Sequence, residues 1–244
     1  MNRAPVHAVF FLVLACFATC AGAQTGRELI TESLRSQAPQ PYVYEEQVLV
    51  LSGHLGQHTV RTLRYYARHD AAGLRRLMVI DTPAELRGIK VYVSRDANGG
   101  ARHGPAGSSP VFGSDYSVAD FEGEQPQDFV YEREGNQELE RVTHFVVRAA
   151  PKDEAVARTT GYGTRRLYLR KDNLFVSRID YLDRRGRLAK RLTFKDPRPD
   201  DTGAWRPGMT LTEDLRQERR TLLKVERRVH SADYVPAVVF EGLQ

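Results

Sequence analysis

The stretch RRLYLRKDNLFVSRIDYLDRRGRLAKRLTF, residues 165–194, decides the fold. It holds three short runs of alternating apolar and charged side chains, separated by KDN and by DRRG. A strand points successive side chains to opposite faces. Leu167 and Leu169, then Phe175, Ile179 and Tyr181, then Leu192 and Phe194 therefore share one surface, with the arginines mostly on the other. Lys171-Asp172-Asn173 and Asp183-Arg184-Arg185-Gly186 supply residues that tolerate left-handed backbone, as hairpin turns require. These runs make antiparallel sheet, not βαβ units.

The same alternation extends in both directions. Strands are expected near 42–52, 58–68, 74–81 and 89–94, and again near 128–133, 138–148, 163–170, 174–182, 187–195, 208–215 and 219–230, about eleven by this reading. One helix precedes them. Thr25-Gly26-Arg27-Glu28 has the capping-box pattern, Leu29, Ile30 and Leu34 form an apolar stripe, and Pro39 and Pro41 end it. Between the third and fourth strands, Asp81 to Gly88 reads as one helical turn with Thr82 as cap, Pro83 at the first position, Glu85 in the capping-box place and Gly88 as stop. Residues 95–112, RDANGGARHGPAGSSPVF, lack apolar periodicity and form a long loop, either a functional lid or a disordered segment. The fold class is mainly β (α+β), in one domain over residues 24–244.

The first 23 residues read as a signal peptide. Arg3 gives a basic start, Val9 to Leu14 an apolar core, and Ala21-Gly22-Ala23 the small residues that signal peptidase needs, with cleavage expected before Gln24. A competing reading makes Cys16 or Cys20 a lipid-modified cysteine. It is disfavoured because Cys16 leaves a very short leader and Thr19 is unusual before such a site. Both cysteines lie in this leader, which excludes structural disulfides and thiolate chemistry from the mature chain. A chain of this length buries a core without such staples. Localisation to the periplasm is the expectation. The charge balance is basic, with 36 Lys+Arg against 31 Asp+Glu and a pI near 9.3. Acids and bases are interleaved, which argues for a solvated sheet exterior and against nucleic acid as a partner. Arginines gathered on one face would instead favour transient contact with an anionic membrane.

Several segments meet a known pattern in order. Arg76-Leu77-Met78-Val79-Ile80-Asp81-Thr82-Pro83 is followed by Arg87-Gly88, then by Gly113-Ser114-Asp115-Tyr116-Ser117. Ile179-Asp180-Tyr181 with Asp183 and Gly186, and Lys190-Arg191-Leu192-Thr193-Phe194, come next. Trp205-Arg206-Pro207 then precedes a strand containing Met209, and Phe240 and Leu243 close the chain. From about residue 40 onward this resembles the outer membrane lipoprotein-sorting protein family, the LolA/LolB-like periplasmic proteins. Gly113 to Ser117 is the most specific piece. The chain departs from the family pattern just before it: where the family carries a Trp-containing strand and a basic segment, only Arg102 and His103 stand in the Gly/Ser/Pro-rich loop.

The resemblance implies a single open, strongly curved antiparallel sheet, an unclosed β-barrel whose concave apolar face is covered by short helices as a lid. It also implies a carrier of hydrophobic cargo, lipoprotein acyl chains or lipids, working in outer-membrane lipoprotein or lipid trafficking beside an RND-type inner-membrane transporter. An alternative within the same fold is a periplasmic sensor that binds an envelope signalling partner in response to lipids. Burying an acyl chain yields roughly 0.8 kcal/mol per methylene, so a long chain contributes on the order of 10 kcal/mol before ordering costs. Release then requires a lid that competes for the same surface. The N-terminal helix and residues 113–122, with Gly113, Ser114, Asp115, Tyr116 and Ser117, are expected to play that part.

The candidate cavity set is Leu63, Tyr65, Val79, Val91, Val93, Phe145, Val147, Leu167, Leu169, Ile179, Tyr181, Leu192, Phe194, Leu223 and Val225. Each alone suits ordinary core packing, and only the set as one surface speaks for a ligand. No catalytic residue, metal or cofactor is expected. Ser114 and Asp115 with His103 or His144 invite a hydrolase reading, but no Gly-x-Ser-x-Gly elbow surrounds them, and a tight turn followed by a Ser117 cap with Asp120 accounts for them better. His54, His58 and His69 flank turns without a cysteine or close carboxylates, a poor metal set. Gly99-Gly100 lack the strand-loop-helix setting of a phosphate loop. Trp205, the only tryptophan, is expected to plug the end of the sheet.

Overall fold

The computed structural model describes residues 24–53, 56–97, 102–161 and 163–243. The expected signal peptide, His54 and Gly99-Gly100 lie outside the described residues.

Helix α1 (Gly26–Ser36) starts on the expected capping box: the Thr25 hydroxyl accepts from the Glu28 N–H at 3.2 Å, and the Glu28 carboxylate accepts from the Thr25 N–H at 2.7 Å. Strands β1 (Tyr42–Ser52), β2 (His58–Asp70), β3 (Gly73–Thr82), β4 (Lys90–Asp96) and the two-residue β5 (Arg102–His103) follow as a meander. The chain then passes through helix α2 (Val118–Glu122) to β6 (Phe129–Leu139), β7 (Val142–Pro151), helix α3 (Glu154–Thr160), β8 (Thr164–Arg170), β9 (Val176–Leu182) and β10 (Leu188–Lys195). A small separate hairpin, β11 (Arg198–Pro199) and β12 (Trp205–Arg206), precedes β13 (Met209–Asp214) and β14 (Arg219–Val229).

The main sheet has twelve strands in the order β5-β4-β3-β2-β1-β14-β13-β10-β9-β8-β7-β6, antiparallel throughout. The two outermost strands, β5 and β6, are consecutive in the chain but are not paired with each other. Pairing them would close a barrel. The segment joining them instead crosses the open side, and this gap creates the groove.

Residues 102–103, expected in a loop, add a short edge strand by pairing with Ser94 and Arg95 of β4, and the sheet departs from the sequence reading in two further places. Strands were expected at 128–133 and 138–148, leaving 134–137 between them. In fact β6 continues through Gly135, which sits at φ 142° in a bulge, and the hairpin turns at Glu140 and Arg141, with φ of 50° and 65°. Gly supplies the bulge conformation without steric cost, whereas two ordinary residues adopt the left-handed region because the flanking strands pair up to Leu139 and Val142. The second is Thr82, which does not cap a helical turn. Its hydroxyl pairs with the Thr62 hydroxyl at 2.7 Å and accepts from the Thr62 N–H, and the 3₁₀ turn Ala84–Leu86 begins without a side-chain cap.

Two apolar clusters fill the inner face. Leu49, Leu63, Met78, Ile80, Val93 and Leu223 pack beneath Val111, Val118 and Phe121 from the crossing segment. Leu29 and Ile30 of α1 pack onto Phe129, Tyr131, Val147, Ala149, Leu167 and Leu169. A third cluster lies on the outer face, where the C-terminal turns bring Val235 and Phe240 onto Tyr66 and Leu77, with Tyr42, Tyr44, Val79 and Tyr92 around them. Val79, expected in the groove, therefore faces outward. Met78 and Ile80 take the inner phase of β3, and the period of two sends their neighbour to the opposite face.

Candidate functional site

The groove of the open sheet is roofed by two pieces of chain. Helix α1 docks over β6–β9. Its first turn reaches the sheet so closely that an added Cβ on Gly26 would stand 2.8 Å from the Glu132 backbone. Its far end is tied down by the β11–β12 hairpin, where the Trp205 N–H donates to Gln37 Oε1 at 2.6 Å and Arg206 donates to the Gln37 carbonyl at 2.9 Å. Trp205 thus belongs to a tether for the helix. Asp200 anchors this hairpin; burial pushes its carboxyl up, yet hydrogen bonds from Thr202, Gln40 and Arg206 hold it well below the usual carboxylate range.

The second roof is the crossing segment. Gly113, at φ 70°, and Phe112, at φ 52°, turn the chain. The Ser114 hydroxyl donates to the Val111 carbonyl at 2.6 Å, so it closes the turn. Asp115 accepts from the Thr221 hydroxyl at 3.0 Å and stands 2.7 Å from Arg219. The Tyr116 hydroxyl donates to the Asp120 carbonyl at 3.1 Å. Ser117 caps α2, with its N–H donating to Asp120 Oδ2 at 2.7 Å. His144 lies on the outer face against Ser177 at 2.7 Å, away from this cluster. His58 bonds Ser52, and among the described residues no cluster of three His, Cys, Asp or Glu side chains could hold a metal ion.

Acidic groups of this segment meet basic groups of the inner face at several points. Asp120, whose side chain is fully buried, pairs with Lys190, 2 % exposed, and accepts from the Tyr181 hydroxyl at 2.6 Å. Glu124 pairs with Arg165 at 2.8 Å, both 10 % exposed, and accepts from the Tyr131 hydroxyl. Glu122 pairs with Arg102 and stands 3.8 Å from Arg95. Arg76 donates to the carbonyls of Phe121, at 2.9 Å, and Glu122, and Arg61 donates to the Phe112 carbonyl. Burial, with Asp120 nearby, drives the Tyr181 and Tyr116 hydroxyls well above their ordinary range; burial and Glu124 do the same for Tyr131. All three stay protonated as donors.

Two recesses remain between roof and sheet. The first, about 170 Å³, has apolar walls from Ile30, Leu34, Leu167, Val176, Ile179, Leu192 and Phe194 and a polar end made by Asp120, Glu124, Arg165 and Tyr181. The second, about 300 Å³, lies on the other side of Phe194 and includes Tyr65, Met78, Phe121, Leu223 and Val225 with Glu45, Arg76 and Arg228. Of the residues expected to line a cavity, Leu167, Ile179, Tyr181, Leu192 and Phe194 meet in the first and Tyr65, Phe194, Leu223 and Val225 in the second. Leu63, Val91 and Val93 pack under the crossing segment, and Phe145, Val147 and Leu169 under or beside α1. Val79 belongs to neither recess.

A family model described as an uncharacterized protein matches residues 73–241. The chain belongs to that family. No curated protein matches its sequence. Its fold is LolA-like. A DUF1329 family protein from Desulfovibrio piger superposes with a TM-score of 0.75 at 20 % identity, over 88 % of this chain and 98 % of that one. A putative outer membrane lipoprotein-sorting protein domain from Vibrio parahaemolyticus gives 0.75 at 16 % identity, over 88 % and 96 %. A LolA superfamily protein from Nitrosomonas europaea gives 0.67 at 15 % identity, over 89 % and 98 %.

The functional groups that sequence reasoning missed in this LolA-like groove are the charged ones. Arg61, Arg76, Arg95, Arg165, Lys190 and Arg219 each stand two residues from an inward-facing position: Leu63, Met78, Val93, Leu167, Leu192 and Thr221. A cation in phase with the apolar face is the signal that finds them.

Proposed function

We propose that this protein is a periplasmic carrier that binds the acyl part of a lipid or lipoprotein in the groove beneath α1 and α2. The observation that carries the reading is the pair of recesses between a curved apolar sheet face and a roof held by both apolar packing and polar latches. Such a roof keeps the apolar surface from water when empty, and it yields without the sheet having to unfold. Affinity then becomes the difference between cargo burial and lid burial, which keeps release feasible. The lipoprotein-sorting and LolA superfamily neighbours support the same reading through shared fold. Within it the protein acts in outer-membrane lipoprotein or lipid trafficking, touches membranes transiently and works beside an RND-type transporter, a partner that rests on the sequence resemblance. No catalytic step is assigned to it.

Displacement of a fluorescent fatty acid tests the reading. Saturation at one site, together with acyl lipids in organic extracts of protein purified from its native envelope, is the expected result. Absence of both would remove it. Cross-linking in intact membranes followed by mass spectrometry tests the transporter.

A further inference from the structure

The crossing segment carries four carboxylates between residues 111 and 124, Asp115, Asp120, Glu122 and Glu124, and no Lys or Arg. Each of the four reaches a cation of the sheet: Arg219, Lys190, Arg102 with Arg95, and Arg165 respectively. Lifting this segment would uncover a row of cations beside an apolar trough. In the first recess the two chemistries already adjoin, with apolar side chains along the walls and Asp120, Glu124, Arg165 and Tyr181 at one end.

We propose that the cargo is an anionic amphiphile whose acidic headgroup takes over the cations that the roof's carboxylates hold in the empty groove. The inference rests on the carrier reading and specifies its ligand class. A neutral acyl ligand would fill the trough but leave Lys190 and Arg165 without the counter-charge that their depth demands. A phosphate or carboxylate headgroup restores it, and guanidinium pairs with either in a two-pronged geometry. The roof in this view is an internal stand-in for the ligand: Phe121 and Val118 replace its chain, and Asp120 and Glu124 replace its headgroup. The Tyr181 and Tyr131 hydroxyls, which donate to those carboxylates, serve an incoming anion equally well.

The test compares palmitate and 1-palmitoyl lysophosphatidate with 1-monopalmitoylglycerol and with inorganic phosphate. Each is used below its micellar concentration to displace an uncharged fluorescent acyl probe from the full mature chain. The two anions should bind about tenfold to a hundredfold more tightly than the neutral ester, the range for a charge-assisted hydrogen bond to a buried group, and phosphate alone should displace nothing. Asp120→Asn, which weakens the latch and spares the cap geometry, should raise affinity for the anions more than for the ester. The paired variant Arg165→Gln with Glu124→Gln, which leaves no lone charge behind, should melt as a folded protein and show a smaller preference for the anions. Equal binding of anion and ester by the native chain overturns the proposal and leaves the carrier reading standing. Displacement by phosphate alone also overturns it, in favour of a site for free anions. If none of the acyl compounds binds, the carrier reading fails and the proposal with it.

Discussion

Replacing Lys190 by Met removes one ammonium from a site where it is 2 % exposed and its partner Asp120 is fully buried. Asp120 keeps the Tyr181 hydroxyl at 2.6 Å and the Ser117 N–H at 2.7 Å, but it loses the ammonium it is paired with. Breaking one side of such a buried pair costs about 3–5 kcal/mol, whereas an exposed pair such as Arg35 with Glu32 is screened by water. Asp120→Asn should cost a similar amount by stranding Lys190. The double variant should cost about as much as either single one, because removing both charges leaves only a buried amide and a thioether. The resulting coupling equals one single loss, about 3–5 kcal/mol, at or above the range of about 0.5–3 kcal/mol usual for groups in direct contact. Urea unfolding of the four proteins, followed by circular dichroism, gives these differences from the midpoints at constant slope. Additive losses below about 1 kcal/mol each would refute the reasoning: the pair would then be solvated, and the roof not latched there.

Gly26→Ala should destabilise the protein by about 1–3 kcal/mol and loosen α1, because the new methyl meets Glu132 backbone 2.8 Å away; an unchanged thermal midpoint would contradict the close docking. Ile179→Trp should fill the first recess and lower affinity for a fluorescent fatty acid at least tenfold while the protein stays folded; unchanged binding would place the ligand elsewhere. His144, buried between the Val142 carbonyl and Ser177, has its pKa lowered mainly by burial. Its neutral form is favoured by folding, so its contribution is complete above the unfolded value of about 6.5 and is lost as pH falls below it, by at most about 1.4 kcal/mol per pH unit. Stability measured across this range should decline toward acid in the native chain and less in His144→Gln; parallel curves would refute the assignment.

The strands were legible because alternation is a strong local signal: β1 was expected at 42–52 and is found there, and β8 to β10 agree within two residues. The expected error at β6 and β7 came from Gly135, whose flexibility serves a bulge as well as a turn. Thr82 was misread because its true partner, Thr62, lies across the sheet, and no local pattern reveals a cross-strand hydroxyl pair. The Ser117 cap was readable within four residues, but the latches were not. Lys190 looks like another solvated charge in an arginine-rich sheet until a carboxylate seventy residues away is known to cover it. Val79 fell on the wrong side because an unbroken apolar run, Leu77 to Ile80, carries no phase of its own.

The missing bond between β5 and β6 makes the covering segment a strap fixed at both margins of the same sheet. Its ends cannot separate unless the margins do, so widening the trough pulls the strap taut and narrowing it lets the strap bow outward. Gape and cover are thereby one mechanical coordinate. A force applied anywhere along the rim, by a bilayer or by a docked protein, is felt at the latch without any dedicated relay.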